Sequence, residues 1–448
     1  MPRVSHRRQL IADLISGMAA EALDEEDYED FLLLNSLFDA DGDLSLGSFL
    51  DEDGALWMDT PMDDLAEVLM LVEANRYLTP RQLYDKSRDF VLNYFFKLPD
   101  DSFRQLTRMS KASFQFVLSE IEGHPVFQND SLYPQAVVAL QLAVALDRLG
   151  NYGNGVSLGR TLKLWGIGKG TCVLYTTRVF EALNDLASKF IVWPNKRKRK
   201  AMSRRMTAKG FKGCVGFIDG TTFPLSQKPA VDGECYFDRK SRYSINGQIV
   251  CDDNRRIIAF YAGWPGSCCD STVYKKMQLA KDSKKPHFFS PGEYLIGDSA
   301  YPADRGYNTL VPAYRKNMKG TDIEAFNTCI AHVRVVNEHT IGVLKGQWAC
   351  LRELRVQLNK KEDMERILQW ITACVVLHNM LLSQNDDWTS DDESSDEDSD
   401  EPEEENESED EDESDDDEFI FRRRLKKKAI RKGNERGGIL WYRSYYMH

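Results

Sequence analysis

The chain has 448 residues, more than one hydrophobic core usually holds, and 42% of them are hydrophobic. This composition excludes a wholly disordered, collagen-like or fibrous chain. The net charge of −13 taken alone argues against a nucleic-acid-binding protein, but the charge lies in blocks. Residues 1–75 carry −16 and residues 386–418 carry −23, whereas residues 76–385 carry +17 and residues 419–448 carry +9. The basic body favours a polyanionic partner, with a merely solvated basic surface as the alternative.

Compartment signals are few. No apolar run reaches the 18 residues that a membrane-spanning helix needs, so we expect no membrane association. The N-terminus lacks a secretory apolar region with a cleavage site. The nine cysteines form no CxxC pair, which indicates reduced intracellular thiols rather than a disulfide framework or a zinc ribbon.

The first part of the chain predicts helices. Residues 1–79 are acidic with helical apolar spacing and predict a partly ordered arm, and residues 80–195 predict an all-α region. In the latter, residues 157–186 have the pattern of a helix-turn-helix with its turn at Gly166–Gly170.

The second helix of this pair would direct its N-terminal half at a DNA major groove. The candidate DNA contacts there are Lys169, Thr171, Tyr175 and Arg178. An ordinary helical hairpin in a bundle is an equally good interpretation of the segment.

Residues 196–210 form a basic segment that we interpret as a linker. Its cluster KRKRKAMSRR is also typical of a nuclear-import signal or a strip that contacts phosphates, and these roles are compatible with one another.

From residue 211 to 385 the pattern changes to strands alternating with helices, which predicts an α/β domain with a mixed sheet. One predicted strand ends at Asp219, a hairpin turns at Asp252–Asn254, and another strand ends at Asp298. A long helix carries Glu338, and an apolar amphipathic helix closes the domain.

Asp219, Asp298 and Glu338 are the candidate catalytic acids. Carboxylates that end strands of one sheet project from the same edge, and a packed helix can add a third. Carboxylates that share a pocket raise one another's pKa unless a cation is present. Hard oxygen ligands favour Mg²⁺ or Mn²⁺, and such ions assist phosphodiester cleavage. For any one of these acids, a turn or a helix cap is the simpler interpretation.

Six segments, in order, resemble the transposases of the PIF/Harbinger superfamily and the nucleases domesticated from it. The segments are GFIDGTTFPL (216–225), YSINGQIVCDDNRRI (243–257), GWPGSCCDSTVY (263–274), YLIGDSAYP (294–302), NEHTIGVLKG (337–346) and VLHNML (376–381). The resemblance covers roughly residues 105–385. It implies a ribonuclease-H-like core that cuts and joins DNA through an Asp-Asp-Glu triad with a divalent metal.

Carried over by motif, the resemblance assigns the triad to Asp219, Asp298 and Glu338. It adds Asp270 as a further metal contact and supports DNA binding by the helix-turn-helix. Lys345 and Arg352, beyond Glu338, are candidate phosphate contacts, with plain helix-surface charge as the alternative. The chain departs from the family pattern with Cys269, where a histidine is common, and with Gln347, where an arginine is usual.

The resemblance implies an active transposase or transposase-derived endonuclease. The departures leave open a domesticated DNA-binding protein without cleavage. A third interpretation is a scaffold that recruits a Myb-like DNA-binding partner. The oligomeric state is not determined by the sequence.

The C-terminal part predicts two further segments. Residues 386–418 are low-complexity and acidic and predict a disordered tail. The tail is either solubilising, or a DNA mimic that occupies the basic body in cis, or a docking site for basic proteins. Residues 419–448 are basic and contain a nuclear-import candidate, which predicts an importin as partner and a nuclear location. Its basic residues are Arg422, Arg423, Arg424, Lys426, Lys427 and Lys428.

Overall fold

The computed structural model describes residues 6–21, 61–75, 94–129, 132, 134–303, 307–315, 318 and 320–388. The chain divides into two compact units, residues 1–84 and 85–448. In the first unit, α1 (His6–Glu21) and α2 (Pro61–Ala74) pack through a small apolar cluster. Arg7 ties the two helices together by donating hydrogen bonds to the carbonyl oxygens of Val72 and Glu73. The acidic N-terminal arm thus contains a helical pair.

The second unit begins with helices, as the apolar spacing predicts. They are α3 (Asp100–Thr107), α4 (Lys111–Ile121), α5 (Val138–Leu149), α6 (Leu158–Trp165), α7 (Lys169–Asp185), α8 (Ala187–Phe190) and α9 (Lys196–Thr207). The helices α6 and α7 are joined by a short turn in which Gly166 has φ 59° and ends α6 in the left-handed region. The buried carboxylate of Asp147 on α5 fixes α6 by accepting hydrogen bonds from Arg160 and Trp165.

The basic segment 196–210 is not a simple linker, because most of it forms α9. Asn195 caps the helix by accepting a hydrogen bond from the backbone N–H of Lys198. Met202 and Met206, one turn apart, bury themselves in an apolar cluster against the sheet. The sequence did not predict this helix because the segment is mostly charged and its buried apolar side consists of only these two methionines.

A five-stranded mixed sheet follows. Its strands are β1 (Cys214–Pro224), β2 (Ser244–Cys251), β3 (Ile257–Pro265), β4 (Tyr294–Gly297) and β5 (Leu310–Pro312). The order across the sheet is β3-β2-β1-β4-β5, with β1, β2 and β3 antiparallel and β4 and β5 parallel to β1. The remaining helices are α10 (Asp270–Tyr274), α11 (Lys285–Phe288), α12 (Thr321–Gln347) and α13 (Lys361–Ser383). The predicted α/β class with a mixed sheet flanked by helices is therefore confirmed.

Asp219 lies inside β1 and does not end it, contrary to the prediction. The strand continues through Gly220 and two threonines to Pro224, and it stays paired with β2 from Phe217↔Cys251 to Pro224↔Ser244. Glycine and threonine after an apolar run resemble a turn in the sequence, but here the backbone continues as strand. Asp298 directly follows β4, as predicted.

The helical region and the sheet form one unit with a shared core, although the sequence suggested two successive domains. The closing helix α13 packs against α7, α8 and β3. Asn379 on α13 donates hydrogen bonds to the carbonyls of Phe190 and Ile257 and accepts one from the backbone N–H of Ile257. The side-chain amide of Asn379 thus forms hydrogen bonds with the backbone N–H and carbonyl groups at the start of the edge strand β3, as a neighbouring strand would.

The residues Asp386–Trp388, predicted as the start of a disordered tail, are bound to the helical region. The carboxylate of Asp386 accepts hydrogen bonds from Arg104 and from the backbone N–H of Ser110. The Trp388 ring is buried beneath the guanidinium groups of Arg104 and Arg108, at 5.5 and 5.2 Å. Residues 389–448, which hold the rest of the acidic segment and the nuclear-import candidate, lie outside the described residues.

One described helix, α13, is long and apolar enough over Glu362–Ser383 to span a membrane by length and composition. Within the protein, 78% of that stretch is buried, as in the core helix of a globular domain.

We expect His378 to make the unfolding free energy depend on pH. Its Nε2 donates to the carbonyl oxygen of Arg255, 2.9 Å away, and burial lowers the pKa of His378 to about 4. The unfolded chain takes up this proton near its ordinary pKa of about 6.5, so stability is full above about pH 6.5 and falls by up to about 3 kcal/mol towards about pH 4.

Urea unfolding across that window measures the effect. The variant His378→Gln keeps an N–H donor for Arg255 but does not titrate, so its stability should change less with pH. Equal pH dependence in both proteins would contradict this assignment.

Candidate active site

The guanidinium group of Arg334, on α12, lies among the three candidate catalytic acids. Its Nη2 is 3.4 Å from Asp219 Oδ2 and its Nη1 is 3.3 Å from Asp298 Oδ1. The same Nη2 is 3.8 Å from Glu338 Oε1, one helical turn further along α12. The structure therefore brings Asp219, Asp298 and Glu338 around one buried cationic group.

The sheet register explains why the two aspartates meet. The parallel strands β1 and β4 pair at Phe217↔Ile296. Asp219 and Asp298 each come two residues later along the chain, Asp219 within β1 and Asp298 directly after β4, so they lie side by side at this edge of the site. The helix α12 contacts β1, β2 and β4 and adds Glu338 from one side.

The electrostatics of Asp219 reflect its burial in this cluster. The pKa of Asp219 is raised to about 6, chiefly by burial. Arg334 and the backbone N–H of Gly220 lower this pKa, whereas the neighbouring carboxylates Asp298 and Asp270 raise it. Asp298 and Glu338 are more open, with side chains 40% and 54% exposed. A buried carboxylate among other carboxylates requires a cation to ionise readily at neutral pH.

Asp270 lies at the start of α10 and faces β1 at Gly220. Its Oδ1 accepts hydrogen bonds from the side-chain amides of Asn246 and Gln248, at 2.9 and 2.8 Å. A β-carbon added at Gly220 would lie 2.2 Å from this oxygen. The glycine therefore lets Asp270 approach the strand directly beside Asp219.

Tyr301 orients the side-chain amide that binds Asp270. Its hydroxyl donates a hydrogen bond to Gln248 Oε1, so the amide of Gln248 points its N–H groups at Asp270 and Asn246. Burial and the nearby carboxylates raise the pKa of Tyr301 well above its ordinary value. Tyr301 thus stays a neutral donor.

The helix α12 is braced against the sheet beyond Glu338. Lys345 Nζ donates a hydrogen bond to the carbonyl oxygen of Thr222 on β1, 2.9 Å away, and lies over the Phe223 ring. This lysine was predicted as a phosphate contact. In the structure it holds α12 against β1 and so helps to fix the position of Glu338 relative to Asp219. Arg352 is exposed and lies 6.0 Å from the Tyr152 ring.

The predicted DNA contacts on α7 do not share one face. Lys169 is exposed, Thr171 and Arg178 are half-buried, and Tyr175 packs into the hydrophobic core. Only 9% of Tyr175 is exposed, so its ring does not lie at the surface where DNA would bind. The exposed positions of the N-terminal half also include Val173 and Leu174.

These two departures from the family pattern make different contacts, and Cys269 directly precedes Asp270. Cys269 caps the start of α10, with its Sγ 3.0 Å from Thr272 Oγ1. Gln347 is buried and donates a hydrogen bond to the carbonyl oxygen of Arg108. Gln347 thus links the end of α12 to the helical region.

Residues 218–379 match a family model described as the DDE superfamily endonucleases. The chain carries a DDE superfamily endonuclease domain. The match spans all four acids, and it confirms the resemblance drawn from the six sequence segments. No solved structure matches the chain significantly.

Curated relatives match between 64% and 70% of the chain. The chain is 26% identical over 309 residues to the antagonist of like heterochromatin protein 1 of Arabidopsis thaliana, covering 64% of this chain and 74% of the relative. An ALP1-like protein of the same plant is 26% identical and covers 70% of this chain and 76% of the relative. "Putative nuclease HARBI1" of Homo sapiens is 25% identical and covers 66% of this chain and 82% of the relative.

The carboxylate oxygens of the candidate site are chemically suited to a divalent cation. The four carboxylates supply hard oxygen ligands, and three of them are already gathered round a positive charge. The buried Nε of Arg334 has no hydrogen-bond partner among the described residues. Within the described part of the chain, no three acidic, histidine or cysteine side chains are already spaced as metal ligands.

The variant Gly220→Ala should have the same effect on strand cleavage as a substitution of Asp270. The added methyl group would displace the Asp270 carboxylate from the amides of Asn246 and Gln248. Loss of such a supporting position lowers metal affinity or activity by about 10–100-fold. The measurement is strand cleavage, with Asp270→Asn and the double variant as comparisons.

If both substitutions act on the same carboxylate, the double variant is no worse than the poorer single variant. Additive losses would contradict the proposed link between Gly220 and Asp270.

Proposed function

We propose that the chain is a divalent-metal-dependent DNA endonuclease derived from a Harbinger-type transposase. The observation that supports this most directly is the convergence of Asp219, Asp298 and Glu338 on one cationic group within a DDE endonuclease domain. The sheet order, with a central β1 flanked by an antiparallel and a parallel neighbour, supports a ribonuclease-H-like core.

Each acid has a distinct part in this proposal. Asp219, Asp298, Glu338 and Asp270 would hold Mg²⁺ or Mn²⁺, which when bound activates the attacking oxygen and stabilises the leaving oxygen of a phosphodiester. Asp219 is the least exposed of the triad, and the more exposed Asp298 and Glu338 would face the substrate. Lys345 would hold α12 against β1 through Thr222.

DNA is the proposed substrate because residues 76–385 carry a net charge of +17. Lys169, Thr171 and Arg178 on α7, together with Arg352, remain candidate contacts, whereas Tyr175 is left out because its ring is buried. A nuclear location, import through an importin by the segment that contains Arg422–Lys428, and recruitment of a Myb-like partner belong to the same proposal.

The test is a plasmid-nicking assay with the full-length chain in Mg²⁺, in Mn²⁺ and in chelator. Nicking in either metal and its loss in chelator and in Asp219→Ala would support the proposal. A wild-type protein that binds DNA but does not nick in either metal would overturn it.

The second candidate function is DNA binding without cleavage, and one observation favours it. Arg334 already compensates the three carboxylates with a protein cation, as a retained but unused site could. The nicking assay separates the two functions.

A further inference from the structure

The helix α9 has a strongly basic surface that the candidate active site does not use. We call its exposed side the basic face, which consists of Lys196, Arg197, Lys200 and Arg204. The other side of α9 is fixed to the protein by Met202, Met206 and Arg199. In the described part of the chain, none of the four basic-face residues has an ion-pair partner.

The charges of the basic face oppose the stability of α9 itself. The first turn holds four cations and no acidic residue, although the N-terminal end of a helix dipole is positive. Lys196, Lys200 and Arg204 also follow one another at four-residue spacing, where like charges repel. An anionic partner at this face would relieve both effects.

The acidic C-terminal segment leaves the folded protein near this helix. Trp388, the last described residue, is buried, and the carboxylate of Asp387 pairs with Arg255 at 3.0 Å. Arg255 belongs to the turn between β2 and β3. In that same turn Asp253 accepts a hydrogen bond from Arg205 of α9 at 2.7 Å.

We propose that residues 389–418 bind in cis to the basic face of α9. This segment has 21 acidic residues among 30 and no lysine or arginine. Thirty residues can reach about 100 Å when extended, whereas a 12-residue helix is about 18 Å long. The basic residues 419–448 carry only +9 and cannot neutralise the segment, so most of its charge is available to α9.

Because the acidic segment is attached to the folded protein at Trp388, even a weak intrinsic affinity is sufficient to keep it bound to the basic face. Tethering within one chain gives an effective concentration of about 1 mM, so an intrinsic dissociation constant of about 0.1 mM would leave the face covered about nine-tenths of the time. The expected consequence is about tenfold slower modification of Lys196 and Lys200 by a lysine-acylating reagent.

The experiment compares residue-resolved acylation of the full-length chain with a variant in which every acid of residues 389–418 is replaced by its amide. Lys196 and Lys200 should become about tenfold more reactive in the variant. Arg197→Gln with Arg204→Gln, both exposed and away from the core, should raise their reactivity in the same direction. The matched control replaces Lys275, Lys276, Lys281 and Lys284 by glutamine and should leave Lys196 and Lys200 protected.

Three results would overturn the proposal. The first is equal reactivity of Lys196 and Lys200 with and without the acidic charges. The second is an equal rise at the lysines of residues 275–284, because that means unspecific shielding. The third is protection that appears only when a DNA duplex is added and is the same in both proteins, because the face then belongs to DNA.

Discussion

The variant Asp298→Asn is expected to reduce Mg²⁺-dependent strand cleavage by more than about 100-fold while leaving DNA affinity nearly unchanged. Substitutions of residues that merely support a metal ligand lower activity by about 10–100-fold, so the loss of a ligand charge should exceed that range. The side chain is 40% exposed, and its Oδ1 accepts a hydrogen bond from the backbone N–H of Ser299. Asparagine keeps this acceptor, so the turn after β4 should stay intact.

Cleavage and binding are measured separately for this variant. Single-turnover nicking of plasmid gives the rate, and the salt dependence of duplex affinity reports how many phosphate contacts remain. Asp322→Asn, an exposed acid on the first turn of α12, is the matched control and should cleave normally. An Asp298→Asn protein that cleaves at the wild-type rate would show that the triad is assigned wrongly.

The parts of the site that depend on regular elements could be predicted from sequence. Asp298 follows an apolar strand of four residues, and Glu338 lies within a helix that the apolar spacing marks clearly. Asp219 was placed at a strand end because glycine and threonine follow it. Only the pairing with β2, a long-range contact, keeps that backbone extended.

Arg334 was missed although a signal was present in the sequence. An arginine four residues before a glutamate on a helix is usually read as a solvent-exposed pair. Its importance depends on Asp219 and Asp298, which lie far away in the chain and meet it only through the sheet. Similarly, the 3.6-residue period alone did not tell which side of α7 is buried, so Tyr175 was assigned to DNA.

The segment VLHNML illustrates a different limit of motif reasoning. Resemblance identified it as part of the nuclease family, but its polar residues lie away from the acids. His378 and Asn379 instead hold the turn before β3 and the strand edge through backbone hydrogen bonds. A motif can therefore mark the scaffold of a site as clearly as the site itself.

The variant Arg334→Met is expected to lower the free energy of unfolding by about 3 kcal/mol at about pH 7 without divalent metal. Methionine keeps much of the volume but leaves three carboxylates without the charge that now lies 3.3–3.8 Å from them. The loss should shrink as the pH falls, because the pKa of Asp219 is already raised to about 6 and Arg334 now lowers it, so without Arg334 the folded protein regains this proton first. Urea unfolding in chelator at about pH 5 and about pH 7 measures both effects.

Adding Mg²⁺ to the Arg334→Met protein tests whether the guanidinium of Arg334 takes the place of a metal ion between the carboxylates. If the metal and Arg334 compensate the same negative charge, millimolar Mg²⁺ should stabilise Arg334→Met more than the wild-type protein, since binding to the folded state alone raises stability. Arg334→Lys, which keeps one positive charge, should lie between the two in both measurements. If Arg334→Met is as stable as wild type in chelator, the carboxylates do not depend on Arg334. Equal stabilisation of all three proteins by Mg²⁺ would mean that the metal binds elsewhere. The proposal that Asp219, Asp298 and Glu338 bind the metal would then be wrong.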